Sequence, residues 1–207
     1  MNNIQKYHKI LFECVIDNVS ALRFSNDFFR DLADVSGISE DKIVLLFPGG
    51  IKEFISELEK FYDYLLRTPE NQMRIRDRIK NLVLQRIRIN DTSYKDLLLK
   101  FQDFYTNPSN CDLFLQTTWN TANSMWCVIG DESTDFNYYT KRAILSTVYK
   151  STLCYYLRDH SKNSQDTLEF LDKAIDKVML IGKIKNNSNF FSHIRAKIPF
   201  IRLMKNW

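Results

Sequence analysis

NDFFRDLADVSGISEDKIVLLFPGG, residues 26–50, divides into two short helical stretches with a turn between them. From Asn26 to Val35 the groups Phe28, Phe29, Leu32 and Ala33 recur at helical spacing. Ser36-Gly37-Ile38-Ser39 then supplies a turn, Glu40 to Phe47 reads as a second helix, and Pro48-Gly49-Gly50 stops it. Upstream, Ile4, Tyr7, Ile10, Leu11, Val15 and Ile16 give a helix over about 4–19. Downstream the same periodicity predicts helices over 51–67, 73–89, 94–105, 112–128, 135–157 and 166–181. Only 5 Gly and 4 Pro occur in 207 residues, too few for the turns of a sandwich or barrel, so the chain is expected to be all-α.

A helix, a Gly-containing turn and a further helix make a helix-turn-helix pattern, and residues 9–60 resemble the DNA-binding half of tetracycline-repressor-type regulators. That resemblance implies a tetracycline-repressor-like helical fold. The charge speaks against a DNA reader. Between Arg23 and Asp63 stand five basic and nine acidic residues, and the helix that would enter the groove begins Glu40-Asp41. Phosphate neutralisation supplies most of the affinity for DNA, so a local charge of −4 predicts a vestigial motif and no nucleic-acid partner.

The residue inventory narrows the chemistry further. His8, His160 and His193 belong to no HExxH or ExxH pair, and Cys14, Cys111, Cys127 and Cys154 have no CxxC spacing, so no metal site is expected. The cysteines read as reduced thiols in a core. No GxGxxG or GxxxxGK[ST] is present, which removes the usual nucleotide cradles; no cofactor and no catalytic residue are expected. The stretch 73–89 interleaves Arg74, Arg76, Arg78, Lys80, Arg86 and Arg88 with apolar groups and reads as a solvated face paired with the acidic N-terminal region. No apolar run is long enough for a membrane span, and the N-terminus carries neither a signal nor a transit pattern, so any import signal is absent or removed.

The most individual segment is GDESTDFNYYTKRA, residues 130–143, preceded by Met125-Trp126 and followed by YYLRD at 155–159 and DTLEFLD at 166–172. Ser133 or Thr134 can cap the following helix, and Asp135 suits its positive end. Beyond them bulky Tyr138, Tyr139, Leu145, Tyr149 and Leu153 alternate with small Ala143, Ser146, Thr147 and Ser151. Together with Phe114, Trp119, Met125 and Trp126 these leave space for either a neighbouring helix or a hydrophobic cavity.

The mixed run from Gly130 to Ala143 resembles the coenzyme Q nine family, the accessory lipid-binding proteins of ubiquinone biosynthesis. The resemblance favours the cavity, holding an isoprenoid or quinone lipid against Phe114, Trp119, Trp126, Leu145, Tyr149 and Leu153. It also implies a surface patch for the di-iron hydroxylase of the pathway at Met125, Asp135, Tyr138, Tyr139 and Arg142. Here Tyr138 stands where many members have Trp, and Asn123-Ser124 replace an acidic pair. The chain is thus expected to be a homodimeric accessory protein and not an enzyme, presenting polyprenylated intermediates to the hydroxylase. The alternative is a tetracycline-repressor-type transcriptional regulator sensing a hydrophobic ligand.

The expected organisation is a helix-turn-helix-like part over 1–50, a helical lipid-binding domain over 51–182, a linker over 183–189 and an amphipathic tail over 190–207. Seven basic and no acidic residues follow Asp176, leaving residues 1–176 at −3 within a chain of +4. In the tail Phe190, Phe191, Ile194, Ile198, Phe200, Ile201 and Trp207 alternate with Arg195, Lys197 and Arg202, which suits an anionic membrane surface, with Pro199 dividing the helix. The expected location is peripheral, on the cytoplasmic face of a bacterial inner membrane or the matrix side of the mitochondrial one.

Overall fold

The computed structural model of the chain describes residues 3–70, 72–88 and 91–187, and these form helices joined by turns, with no strand among them. The helices are α1 (Asn3–Asp17), α2 (Phe28–Ser36), α3 (Glu40–Leu46), α4 (Gly50–Tyr64), α5 (Ile75–Ile87), α6 (Thr92–Thr106), α7 (Cys111–Ile129), α8 (Phe136–Leu157) and α9 (Gln165–Asn187). The all-α expectation is borne out. Most bounds fall within about three residues of the periodicity reading, and α9 is the exception. It continues to Asn187, through most of the stretch read as a linker. Lys, Ile and Asn are all tolerated in a helix, and a single Gly182 costs only about 1 kcal/mol there. The basic aromatic tail, 190–207, lies outside the described residues, and with it the expected membrane contacts of Phe190 to Trp207.

One apolar cluster runs through the described helices, from Leu11 on α1 to Ile175 on α9. Phe54 on α4 meets Phe12, Phe28 and Phe47 edge to face, with ring centroids 4.8–5.4 Å apart. Buried aromatic pairs of this geometry add about 0.5–1.5 kcal/mol each beyond area burial. They clamp α2 and α3 onto α1 and α4. Gly37 ends α2 at φ 69°, donating its N–H to Ala33, a left-handed conformation that glycine adopts without strain. On α3 only Ile43 is buried, while Glu40, Asp41 and Leu45 face solvent, Leu45 at 81% exposure. The face a DNA reader would use is therefore acidic and greasy.

Two expectations need correction. The cysteines are unpaired, but Cys111, Cys127 and Cys154 are exposed and Cys14 only half-buried. Cys14 packs against the apolar cluster from its edge, while the other three lie on exposed helix flanks, so only one of the four expected core thiols touches the core. The basic stretch on α5 is not a uniformly solvated face either. Arg86 is fully buried against Glu59 and Asp63 of α4, whereas Lys80 reaches forward to Asp172 of α9 at 2.7 Å. The acidic partners of α5 thus come from α4 before it and α9 after it.

Candidate functional site

α7 packs against α4 on one side and α8 on the other, and α6 closes the remaining gap beside both. Between them lies a cavity of about 190 Å³, with Phe101 and Tyr105 of α6, Phe114 of α7, and Lys150, Leu153 and Leu157 of α8 in its walls. Residues 150, 153, 154 and 157 stand at i, i+3, i+4 and i+7, a single stripe along α8. Glu59 of α4 contributes to the wall, and Cys154 stands between this cavity and a groove of about 560 Å³ that runs along α8 toward Arg158, His160 and Phe170.

Behind the cavity is a buried polar cluster. Arg86 donates from Nε to Asp63 Oδ1 at 2.7 Å, from one terminal nitrogen to Glu59 and from the other to the Tyr94 hydroxyl. Thr121 donates to the second Asp63 oxygen at 3.1 Å, so the cluster ties together α4, α5, α6 and α7. Burial pushes the Asp63 carboxyl above its usual range, against the pull of Arg86 and Thr121. Burial also keeps the Tyr94, Tyr105 and Tyr149 phenols protonated.

Lys150 behaves differently. Its amine lies 5.2 Å from the ring centroids of Phe114 and Tyr149 and 5.5 Å from that of Tyr105. The side chain is partly accessible, yet enough water is stripped from it that burial lowers its pKa against the pull of Glu59, with Arg86 adding to the lowering.

A second site is built by the turn between α7 and α8. Gly130, at φ 83°, closes α7 by donating to Cys127, and the Asp131 N–H reaches back to Trp126. The Asp131 side chain is then buried under α8, where it accepts from Ser133 at 2.9 Å, from Arg142 at 3.2 Å and from Lys141. Burial alone would raise its pKa, but the hydrogen bonds from Lys141, Ser133 and Arg142 hold the carboxyl below its usual range. The helix cap is Asp135 itself, whose carboxylate accepts from Asn137 N–H at 2.9 Å; Ser133, an expected cap, serves Asp131 instead.

Arg142 is 2% exposed. Its guanidinium sits 3.5 Å beneath the Tyr138 ring and donates to Asn123 at 2.7 Å, the same oxygen that accepts from the Tyr138 hydroxyl at 3.2 Å. Tyr138 is thereby fixed, with Tyr139 (55% exposed) and Phe136 (49%) outside it.

The residues expected at a lipid site therefore part company. Phe114 and Leu153 line the cavity, Tyr149 flanks it beneath Lys150, and Leu145 is buried farther along α8. Trp119 stands instead with Tyr138 and Tyr139, ring centroids 6.5 and 6.3 Å away. Trp126 donates its indole N–H to the Lys141 carbonyl at 3.2 Å. At 3.6 residues per turn, Trp119 is about 140° and Trp126 about 120° round the helix from Phe114, so one cavity could not receive all three.

Of the expected partner contacts, Asp135, Tyr138 and Tyr139 reach the surface, while Met125 (0% exposed) and Arg142 lie beneath it. No group of His, Cys, Asp and Glu among the described residues could hold a metal ion, and no described helix is long and apolar enough to cross a membrane.

Residues 111–182, from the first residue of α7 into α9, match the COQ9 family. A stretch of 75 residues is 39% identical to the ubiquinone biosynthesis protein COQ9, mitochondrial, of Rattus norvegicus, 36% of this chain and 24% of that one. The Homo sapiens protein of the same name is 36% identical over the same shares. The match thus spans about a quarter of the length of these relatives. The Schizosaccharomyces pombe ubiquinone biosynthesis protein coq9, mitochondrial, is 24% identical over 189 residues, 86% of this chain and 72% of its own. The resemblance read from residues 130–143 is borne out by these matches.

Proposed function

We propose, from the COQ9 match of residues 111–182, that this chain serves ubiquinone biosynthesis as an accessory protein, holding a polyprenylated quinone intermediate and presenting it to the di-iron hydroxylase that oxidises it. The observation that carries the reading is that the matched segment supplies two walls of the cavity, Phe114 on α7 and Leu153 and Leu157 on α8. A drug-sized ligand fills roughly 300–1,000 Å³, so a cavity of about 190 Å³ takes one end of such a lipid. The remainder leaves past Cys154 into the groove of about 560 Å³ along α8.

Chemistry falls to the hydroxylase, and no residue of this chain is given a catalytic role. The chain contributes desolvation of the apolar end and a recognition surface. That surface is the aromatic step of Trp119, Phe136, Tyr138 and Tyr139, with Arg142 acting from beneath to hold Tyr138 flat. Aromatic side chains with fixed orientation are the residue type that dominates interface energy. In this reading residues 1–50 are a vestigial helix-turn-helix part of a tetracycline-repressor-like fold, 51–182 hold the lipid, and the basic aromatic tail of 190–207 rests on the matrix side of the mitochondrial inner membrane, with the chain acting as a homodimer.

Mass spectrometry of lipids that co-purify with the full chain tests the central claim. Isoprenoid or other lipid in near-stoichiometric amount is expected, and Leu153→Trp, which places an indole in the cavity, is expected to lower it severalfold in protein that still folds. Wild-type protein that purifies empty under mild conditions overturns the reading.

A further inference from the structure

An ammonium group in the wall of an apolar cavity is an obstacle to an apolar guest, and this cavity holds one. The Lys150 amine stands 5.2–5.5 Å from the ring centroids of Tyr105, Phe114 and Tyr149, whose negative faces support its charge. The anion nearest in the same wall is Glu59, which attracts the amine without forming a salt bridge to it. One Glu59 oxygen accepts from Arg86, and the other accepts from the Tyr105 hydroxyl at 3.5 Å. The side chain is partly accessible, so water supplies the rest of its solvation.

The charged and titratable groups that face this amine come from four helices. They are Glu59 and Asp63 of α4, Arg86 of α5, Tyr105 of α6, and Tyr149 and Cys154 of α8, while α7 presents the Phe114 ring. Glu59 and Asp63 favour the ammonium form, but Arg86, bonded to both, opposes it. Burial is the largest influence and also opposes it. A hydrocarbon filling the cavity of about 190 Å³ would replace the remaining water and push in the same direction as burial.

We infer that Lys150 couples lipid uptake to proton release: the apolar end of the lipid enters the cavity as the amine gives its ammonium proton to solvent. This rests on the proposed role of the cavity as the site for that end of the lipid, and adds that its filling is controlled by the charge on one residue. Linkage is reciprocal, so a lipid that drives the proton off is itself held more tightly as the pH rises, and acidification favours its release. The window has a definite sign. Lysine ordinarily titrates near pH 10.4; burial lowers that value in the lipid-free chain, and the lipid lowers it further. Affinity therefore climbs with pH between the lipid-bound and lipid-free values, by at most about tenfold per pH unit for one proton, and is level above them.

The test uses geraniol, a neutral isoprenoid alcohol, titrated by calorimetry into the full chain stripped of lipid, and into Lys150→Met and Lys150→Gln. Measurements run from about pH 7 to about pH 10, spanning the range below the ordinary lysine value, in pairs of buffers of different ionisation enthalpy, which count the protons released. In the wild type the affinity is expected to rise severalfold across the range, with up to one proton released per geraniol. In both variants the affinity is level and no proton is released, and Lys150→Met binds severalfold more tightly than the wild type at the lowest pH. Cys154 also titrates in this range but is present in all three proteins, so release from the thiol would persist in the variants.

Geraniol that binds the wild type with level affinity and no proton release overturns the coupling and leaves the lipid-holding role standing. Release that survives both substitutions assigns the proton to another group and also overturns it. Geraniol that fails to bind the stripped chain refutes the cavity as the lipid site, and the coupling falls with it.

Discussion

Among the described residues two arginines, Arg86 and Arg142, are buried, and they do opposite things with their charge. Arg86 lies at the meeting point of four helices, with every partner on another element and almost all of them buried. Arg142 is as deeply covered, yet its partners Asp131, Asn123 and Tyr138 form a shell one layer below solvent, and its ring neighbour belongs to the surface. A charge that faces only inward fixes the packing of helices. One that lies under an aromatic group fixes what the surface presents. The COQ9 match includes the second arginine and leaves the first outside it.

The largest expected effect separates them by stability. Arg86→Ala leaves Glu59 and Asp63 buried without their counter-ion, and breaking a buried pair from one side costs about 3–5 kcal/mol. At roughly 2–4 °C per kcal/mol for a chain this size, thermal unfolding should fall by on the order of 10 °C. The triple change Arg86→Met, Glu59→Gln, Asp63→Asn should recover most of it, because apolar and neutral replacements of a whole buried cluster are often nearly neutral. A single variant that melts like wild type would show that the cluster is hydrated and that the contrast between the two arginines is false.

The second expected effect is smaller in energy and larger in consequence for the surface. Arg142→Ala leaves Asp131 paired with Lys141 and Ser133, so the loss is about 1–3 kcal/mol. Tyr138, however, loses the guanidinium beneath it. Its ring resonances should sharpen toward those of a free side chain, and under the proposed function pull-down of the hydroxylase should weaken with Tyr138→Ala and Arg142→Ala to similar extents. Arg142→Lys is expected to rescue stability in part and the ring position poorly, since an ammonium does not stack as a planar fork does. Equal ring dynamics in Arg142→Ala and wild type would remove the positioning role.

The two sites were unequally legible in the sequence. The helices follow from spacing and from the shortage of Gly and Pro, because an amphipathic helix writes its buried face every three to four residues. GDESTDFNYYTKRA marked the second site, but it did not say that Arg142 and Met125 point inward; depth depends on how α8 leans on α7, which is a tertiary fact.

The cavity was half legible. Phe114 and Leu153 follow from bulk, whereas Trp119 and Trp126 required helical phase that a list of large residues does not carry. Lys150 was overlooked although the sequence held a clue: a lysine in one stripe with Leu153, Cys154 and Leu157 on an otherwise uncharged helix face. Arg86 was hidden among the other basic residues of α5. Its buried carboxylates lie 23 and 27 positions upstream, on another helix, beyond the reach of local pattern.

The smallest expected effect reads the contrast through acid stability. The Asp131 carboxyl is held below its usual range in the folded chain by Lys141, Ser133 and Arg142, against its own burial. A depressed folded pKa means that this site's contribution is fully present above the unfolded value of about 3.9 and is lost as the pH falls through the folded one. Asp63 has the opposite sign. Burial raises its folded pKa, so the folded chain takes up that proton more readily than the unfolded chain, and acidification from the folded value toward pH 4 costs nothing at this group.

Unfolding free energy measured from pH 6 to pH 3 should therefore decline with a slope that flattens in Asp131→Asn, whose amide cannot titrate, and steepens in Asp63→Asn, which removes the group that favours acid. With one site each, the change is on the order of 1 kcal/mol across the range. Should Asp131→Asn leave the acid slope unchanged while Asp63→Asn flattens it, the burial of the two carboxylates has been assigned the wrong way round, and Arg86, not Arg142, is the arginine whose partner senses solvent.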